Sequence, residues 1–339
     1  MNSRHRTSSC GAGFSRRDLL RGSAAAIGAS LIAPGAQAAG IGIPGPYRGR
    51  VVSVAHSAAI SGGVVQASAV RQMFQMGMLR LTGASTVPAA WSQLINPTDV
   101  VGIKINSASG PNTLSSPQVY AELVAEIASV GVPLSNIVIF DKFRPSFANL
   151  NMWSWVPPGV GLMFADQAAD WTWQSTEGMD LQCFVDLPYT MAGQSLDDPF
   201  NRRSYIALFA TQVVTKIVNL AVMKDHNYAG VTLSLKNMSY GMASNVERGH
   251  DDPNNPHFDV LIPNIVAAAP IRSKVVLNIV DSIQAVYSGG PGFTDRHDVE
   301  QQDAVLRYRS RGARPCLLEG HRCQACRFRL PSGRHARPG

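Results

Sequence analysis

The chain has little of several things that usually announce a function. Cysteine is scarce, with five among 339 residues, and outside the first 38 residues and the arginine-rich end only Cys183 remains. From one residue neither a cysteine-ligated cluster nor an internal disulfide can be built within residues 39–300. Lysine is scarce as well, with six in the same span. No long apolar run stands out: "SAAAIGASLIA" near the start is shorter than the ~18 residues a membrane span needs, so no stable span is expected. There is no G-x-S-x-G and no H-E-x-x-H, which leaves a serine hydrolase of the usual kind and a zincin without support. "GIGIPG", with Gly40, Gly42 and Gly45, matches G-x-G-x-x-G. No strand precedes it and Pro44 interrupts it, so it is not read as a dinucleotide site.

The first residues carry an address rather than a fold. "SRRDLLRG" sets Arg16 and Arg17 ahead of the apolar stretch, and "PGAQA" follows with small residues at Ala36 and Ala38. A basic region, an apolar stretch and an A-x-A site form a signal peptide, and paired arginines favour the twin-arginine route. Residues 1–38 are therefore expected to be a twin-arginine (Tat) signal peptide cleaved after Ala38. The Tat translocase is then a partner, and the mature protein is exported to the periplasm or outside the cell.

The opposite end is unusual. From Arg307 onward the chain is rich in arginine, has no lysine and shows neither a helical nor a strand period. Cys323 and Cys326 form a C-x-x-C near His321, but a lone pair of this kind is a weak metal or redox signal. Plausible GC-rich codons for residues 307–327, read one base later, encode an amphipathic segment containing "DPVALD". Residues 298–339 are accordingly expected to be an irregular basic tail created by a frameshift.

Setting the two ends aside reverses the charge. Of the overall +7, the leader carries +4 and residues 301–339 carry +7, which leaves −4 for residues 39–300. The basic footprint of a nucleic-acid binder is thus absent from the body of the chain, and no nucleic-acid partner is expected.

Residues 39–297 suffice for one domain with a sizeable core. "VVSVAHS" reads as a first strand and residues 64–82 as a helix. "DVVGIKIN" is a β-branched run of the kind buried on both faces. Pro117 opens a helix, "PQVYAELVAEIASVG", at the position that tolerates proline, and Gly131 ends it. "NIVIFDK", "IVNLAVMKDH" and "KVVLNIVDSI" are further strands, the second preceded by a helix near residues 201–214. Strands alternating with helices predict an α/β fold, a single domain with a mainly parallel sheet flanked by helices. Residues 143–200, rich in Trp, Pro and Asp, are expected to form a loop-rich insertion, a lid.

Parallel sheets bind ligands outside the carboxyl ends of their strands. Here four strands end in polar groups: Lys104 with Asn106, Asp141, Lys224 with His226, and Asp281. Each alone is ordinary, a solvated strand end or a helix cap. Together they predict one shared site. Lys236 and Asn237 follow closely in "LKN". Three cations with two neutral donors suit a carboxylate or phosphate. Lys224, His226 and His250 are the candidate catalytic residues, His226 and His250 as acid and base or, with Asp141 or Asp281, as metal ligands. Lys104, Asn106, Asp141, Lys236, Asn237, Asp281, Gly289 and Gly290 are the candidate ligand-binding residues, the two glycines because "SGGPG" can either approach a ligand or simply turn. The loop "ERGHDDPNNPHFD" gathers His250, Asp251, Asp252, His257 and Asp259. It can serve a hard cation, although its composition fits a polar surface loop better.

In order, "VGIKIN", "NIVIFDK", "MKDHNYAGVTLSLKNMSYG", the isolated His250 and "IVDSIQAVYSGGPG" resemble the family catalogued as domain of unknown function 362 over residues 50–293. The family pattern also ends in the "DPVALD" segment, which this chain lacks as written. The resemblance implies an α/β fold and little chemistry. Some relatives are fused to iron–sulfur modules, which implies a possible redox partner. Two functions of different class follow: an exported enzyme acting on an anionic small molecule by Lys/His acid–base chemistry, or a non-catalytic binding or assembly protein associated with an iron–sulfur or other redox partner. No motif names a cofactor or a metal.

Overall fold

The computed structural model describes residues 41–108, 110, 114–166, 176–226, 228–250 and 257–286, and the backbone of short strands at 298–299, 303–307 and 327–328. β1 (Val51–Ala55) leads into a hairpin of β2 (Ile60–Ser61) and β3 (Val64–Val65), so α1 (Ala67–Thr82) starts slightly later than its sequence period alone indicates. α2 (Val87–Trp91) precedes β4 (Val101–Lys104), and α3 (Pro117–Ala128) precedes β5 (Ile137–Phe143). Pro117 stands in the first turn of α3, and the Ser116 side chain accepts the Val119 N–H at 3.4 Å, so the helix starts on its cap. α4 (Arg144–Asn149), β6 (Gly161–Asp166), β7 (Met179–Asp186), α5 (Pro199–Arg202) and β8 (Arg203–Ala207) follow. The chain then forms β9 (Lys216–His226), β10 (Gly230–Val231), α6 (Ser234–Tyr240), α7 (Phe258–Val266), α8 (Ala269–Lys274) and β11 (Val275–Val286). β12 (Asp298–Val299), β13 (Asp303–Arg307) and β14 (Arg327–Phe328) complete the strands of the described residues.

The main sheet runs β14-β1-β13-β11-β9-β4-β5-β6. From β11 to β6 every neighbouring pair is parallel, whereas β13 lies antiparallel to both β1 and β11. The fold is therefore α/β, with a mixed sheet that is parallel through its core and helices on its faces. Alternation along the strands divides the burial. Ile103, Ile137, Ile139, Val218 and Leu220 join Phe74, Met78, Leu123 and Ile127 in one core. Phe140 and Ile217 join Phe209, Met238, Leu261 and Ile265 in the other. Each fully buried side chain of this size stabilises the fold by about 1.5–3 kcal/mol.

Three expectations need correction. The helix near residues 201–214 is replaced by α5, β8 and a π-helical turn at Phe209–Val213. Tyr205, Ile206 and Ala207 are buried, and β8 pairs with β7, so tertiary pairing overrides the local helical signal. Residues 143–200 are not simply loop: they hold β6, an edge strand of the main sheet, and β7 of a separate pair. Residues 298–339 are not wholly irregular, because β12, β13 and β14 fall within them and pair by backbone bonds that need no apolar period. Cys183 is buried on β7 and disulfide-bonded. The leader, the C-x-x-C and the shifted reading frame fall outside the described residues.

Candidate functional site

β4 ends on Lys104, which is 1 % exposed. A buried ammonium is costly unless its donors are placed. Lys104 Nζ donates to Asp141 Oδ1 at 2.7 Å, to Asn237 Oδ1 at 3.1 Å and to the Ile105 carbonyl. The Asp141 carboxylate is equally occupied. Its Oδ1 also accepts the Lys142 N–H at 2.8 Å, and its Oδ2 accepts the N–H and hydroxyl of Ser107 at 2.6 and 2.7 Å. Asn237 is oriented in turn by donating to Asn219 Oδ1 at 2.8 Å and to the Leu220 carbonyl at 3.2 Å. Asn219 donates to Asn278 Oδ1 at 2.9 Å and to the Ser234 carbonyl at 3.0 Å. One polar chain thus ties β5, β4, α6, β9 and β11 together. It requires glycine at position 241, where a Cβ would collide with Cε and Nζ of Lys104.

β9 runs past β4 and carries a second group beyond this chain. Lys224 is 2 % exposed, and its Nζ donates to the Ala108 carbonyl at 2.8 Å and to Asn106 Oδ1 at 3.4 Å. No ion pair joins Lys224 or Lys236 to a carboxylate among the described residues. Burial, opposed by Asp141 and reinforced by Lys104, lowers the Lys224 pKa to about 7. Lys236, half-buried on α6, has Nζ 4.2 Å from the Tyr240 ring centroid and 5.7 Å from that of Phe258. Burial and then Lys224 lower it to about 7 as well.

The histidines behave differently. β10 folds back antiparallel on the end of β9, and His226 Nδ1 accepts the N–H groups of Tyr228 and Ala229, both at 3.2 Å. Nδ1 is therefore the acceptor nitrogen and Nε2 carries the proton. Burial first, then Lys236, His250 and Lys224, push the imidazole down to about 3. The His250 ring lies 5.6 Å from that of His226 and meets Phe258 and Tyr240 edge-on at 4.8 and 5.1 Å. Burial and Lys236 lower it to about 4, against the Glu247 carbonyl. Both rings are neutral at pH 7, so the groups that change charge near neutrality are the lysines. Gly249 gives Tyr240 its place, since a Cβ there would collide with the phenol oxygen.

Lys224, His226, Lys236 and His250 are thus brought together, with Asn106 supporting Lys224. Lys104, Asp141 and Asn237 form the buried chain beneath them. Asp281 turns elsewhere: it lines a small cavity with Val70, Phe74 and Val119, accepts the Ile283 N–H at 3.0 Å, and is pushed up to about 6 by burial. Gly289 and Gly290 lie outside the described residues, as do Asp251 and Asp252. His257 packs against Tyr189, ring centroids 4.4 Å apart. Among the described residues no three His, Cys, Asp or Glu side chains converge as a metal site. The sequence reading missed Asn219, Asn278, Tyr240 and Phe258. For the two asparagines a signal exists: each interrupts an apolar run, and the two are register partners on β9 and β11.

A model of the family described as domain of unknown function (DUF362) matches residues 101–302. No curated protein matches the chain. Among solved structures, the lactate racemase apoprotein from Thermoanaerobacterium thermosaccharolyticum is similar at 12 % identity and a TM-score of 0.39, over 65 % of this chain and 49 % of that one. A protein from Thermotoga maritima is similar at 12 % identity and a TM-score of 0.39, over 68 % of this chain and 53 % of that one. The chain spans about half the length of either protein.

Proposed function

The chain belongs to the domain of unknown function 362 family, whose description assigns no chemistry, and from its own residues we propose that it is an enzyme that binds an anionic small molecule. One observation carries this reading. Lys224 is buried and Lys236 half-buried, with no carboxylate paired to either among the described residues. An anion supplies the missing charge. Lys224 and Lys236 hold it, and the Nε2–H of His226 donates to it. Lys104 and Asp141 position the strand end rather than contact the ligand. Because the lysines titrate near neutrality, they move protons, while His226 and His250 serve as neutral partners. The Arg16–Arg17 pair and the small residues at 36 and 38 support Tat export as the setting of this activity.

The test is thermal unfolding of the full chain with phosphate, citrate and pyruvate at ionic strength held constant with chloride. At least one of these anions is expected to raise the midpoint, and Lys224→Met is expected to abolish the rise. If no anion shifts the wild-type midpoint at millimolar concentration, the reading fails.

A further inference from the structure

The three lysines at this strand edge differ in how their amines are held. Lys104 has all three donors placed, and Lys224 has two acceptors, Ala108 and Asn106. The Lys236 amine makes no hydrogen bond or ion pair with a described residue and lies over the faces of Tyr240 and Phe258. An apolar wall and a neighbouring cation keep a lysine amine unprotonated and nucleophilic at neutral pH. The lowered value of Lys236, set by burial and Lys224, agrees with this.

Resting on the anion-site reading above, we propose that Lys236 forms an imine with the carbonyl of a small 2-oxo acid whose carboxylate sits on Lys224 and the Nε2–H of His226. The Lys236 amine and the His226 ring share Phe258 as a neighbour, at 5.7 and 5.6 Å from its centroid, and Lys224 lies two residues from His226 on β9; a 2-oxo acid places its carboxylate and its carbonyl on adjacent carbons. Lys224, tethered and cationic once it holds the carboxylate, keeps Lys236 neutral. The Nζ lone pair attacks the carbonyl carbon, a C–N bond forms, and the carbonyl π pair moves to oxygen. Both amine protons then leave with that oxygen as water, and C=N replaces C=O. Nothing is oxidised or reduced. Tyr240 and Phe258 wall the amine on one side, and a drier site disfavours the reverse hydrolysis.

The full-length protein is incubated with pyruvate or glyoxylate, with propionaldehyde as an uncharged control, then treated with borohydride, digested and mapped by mass spectrometry. The expected result is a reduced adduct on Lys236 with the oxo acids and not with propionaldehyde, lost in Lys236→Met and diminished in Lys224→Met. The wild-type map suffices should either variant fold poorly. No adduct, or one on Lys224 or scattered over other lysines, while pyruvate still raises the unfolding midpoint, overturns the imine and leaves the anion site standing. Absence of both the adduct and the anion-induced shift overturns both.

Discussion

Lys104 and Lys224 stand on adjacent strands, equally hidden from water, and their surroundings treat them in opposite ways. Lys104 meets a carboxylate that is itself saturated with donors, and an asparagine fixed by two further bonds. Among the described residues Lys224 meets one carbonyl and one distant amide oxygen, and no carboxylate. Burial of a cation is therefore not the mark of a site. The mark is the incompleteness of its partners, because a protein that hides a charge without neutralising it retains the cost until something else arrives.

The contrast can be broken most forcefully at Asp141. Asp141→Asn leaves Lys104 charged and unpaired in the interior, and chemical denaturation is expected to show a loss of about 3–5 kcal/mol. A loss under about 1 kcal/mol would mean that the polar chain does not hold the sheet edge. Next in size is Gly241→Ala, which drives a methyl into the Lys104 side chain. It should cost about 1–3 kcal/mol and leave the stabilisation by phosphate in place; loss of the phosphate effect at unchanged stability would merge two groups separated here.

The comparison is sharpened last by a slope with pH. Folding lowers Lys224 and Lys236 from 10.5 to about 7. Between these values the unfolded chain binds more protons, so stability rises with pH from about 7 to 10.5, and the full penalty of charging the two lysines applies below 7. At lower pH the contributions mix. His226 and His250, depressed from 6.5 to about 3 and 4, cost stability as pH falls through that range, whereas Asp281, raised from 3.8 to about 6, costs stability as pH rises through its own. Urea unfolding between about pH 7 and 9.5 should show the rise in the anion-free protein and a flatter line with phosphate. A flat line without phosphate would contradict the lowered lysine values.

The parallel core was legible because its strands are β-branched runs that do not depend on partners: "VVGIKIN", "NIVIFDK" and "IVNLAVMKDH" become β4, β5 and β9. α3 was legible from Pro117. The β7–β8 pair was not, since residues 201–214 form a strand only where β7 lies alongside. β13 was not either, because five residues at the foot of an arginine-rich stretch become a strand by filling the gap between β1 and β11. For the site, sequence named the lysines and histidines but could not say which lysine had a carboxylate. It also could not show that two backbone N–H groups fix the His226 tautomer. Partner sets are three-dimensional facts, and residue types are not.

β1, the earliest strand of the described chain, makes its ladder only with β13 and β14. Among the described residues its backbone ladder therefore closes only with strands far along the chain. The parallel strands from β4 to β11 pair with neighbours closer in sequence, while β1 pairs with nearly the last of the described strands. Sequence separation of this size slows closure of the sheet, because the entropy of joining distant segments is lost before their contacts form.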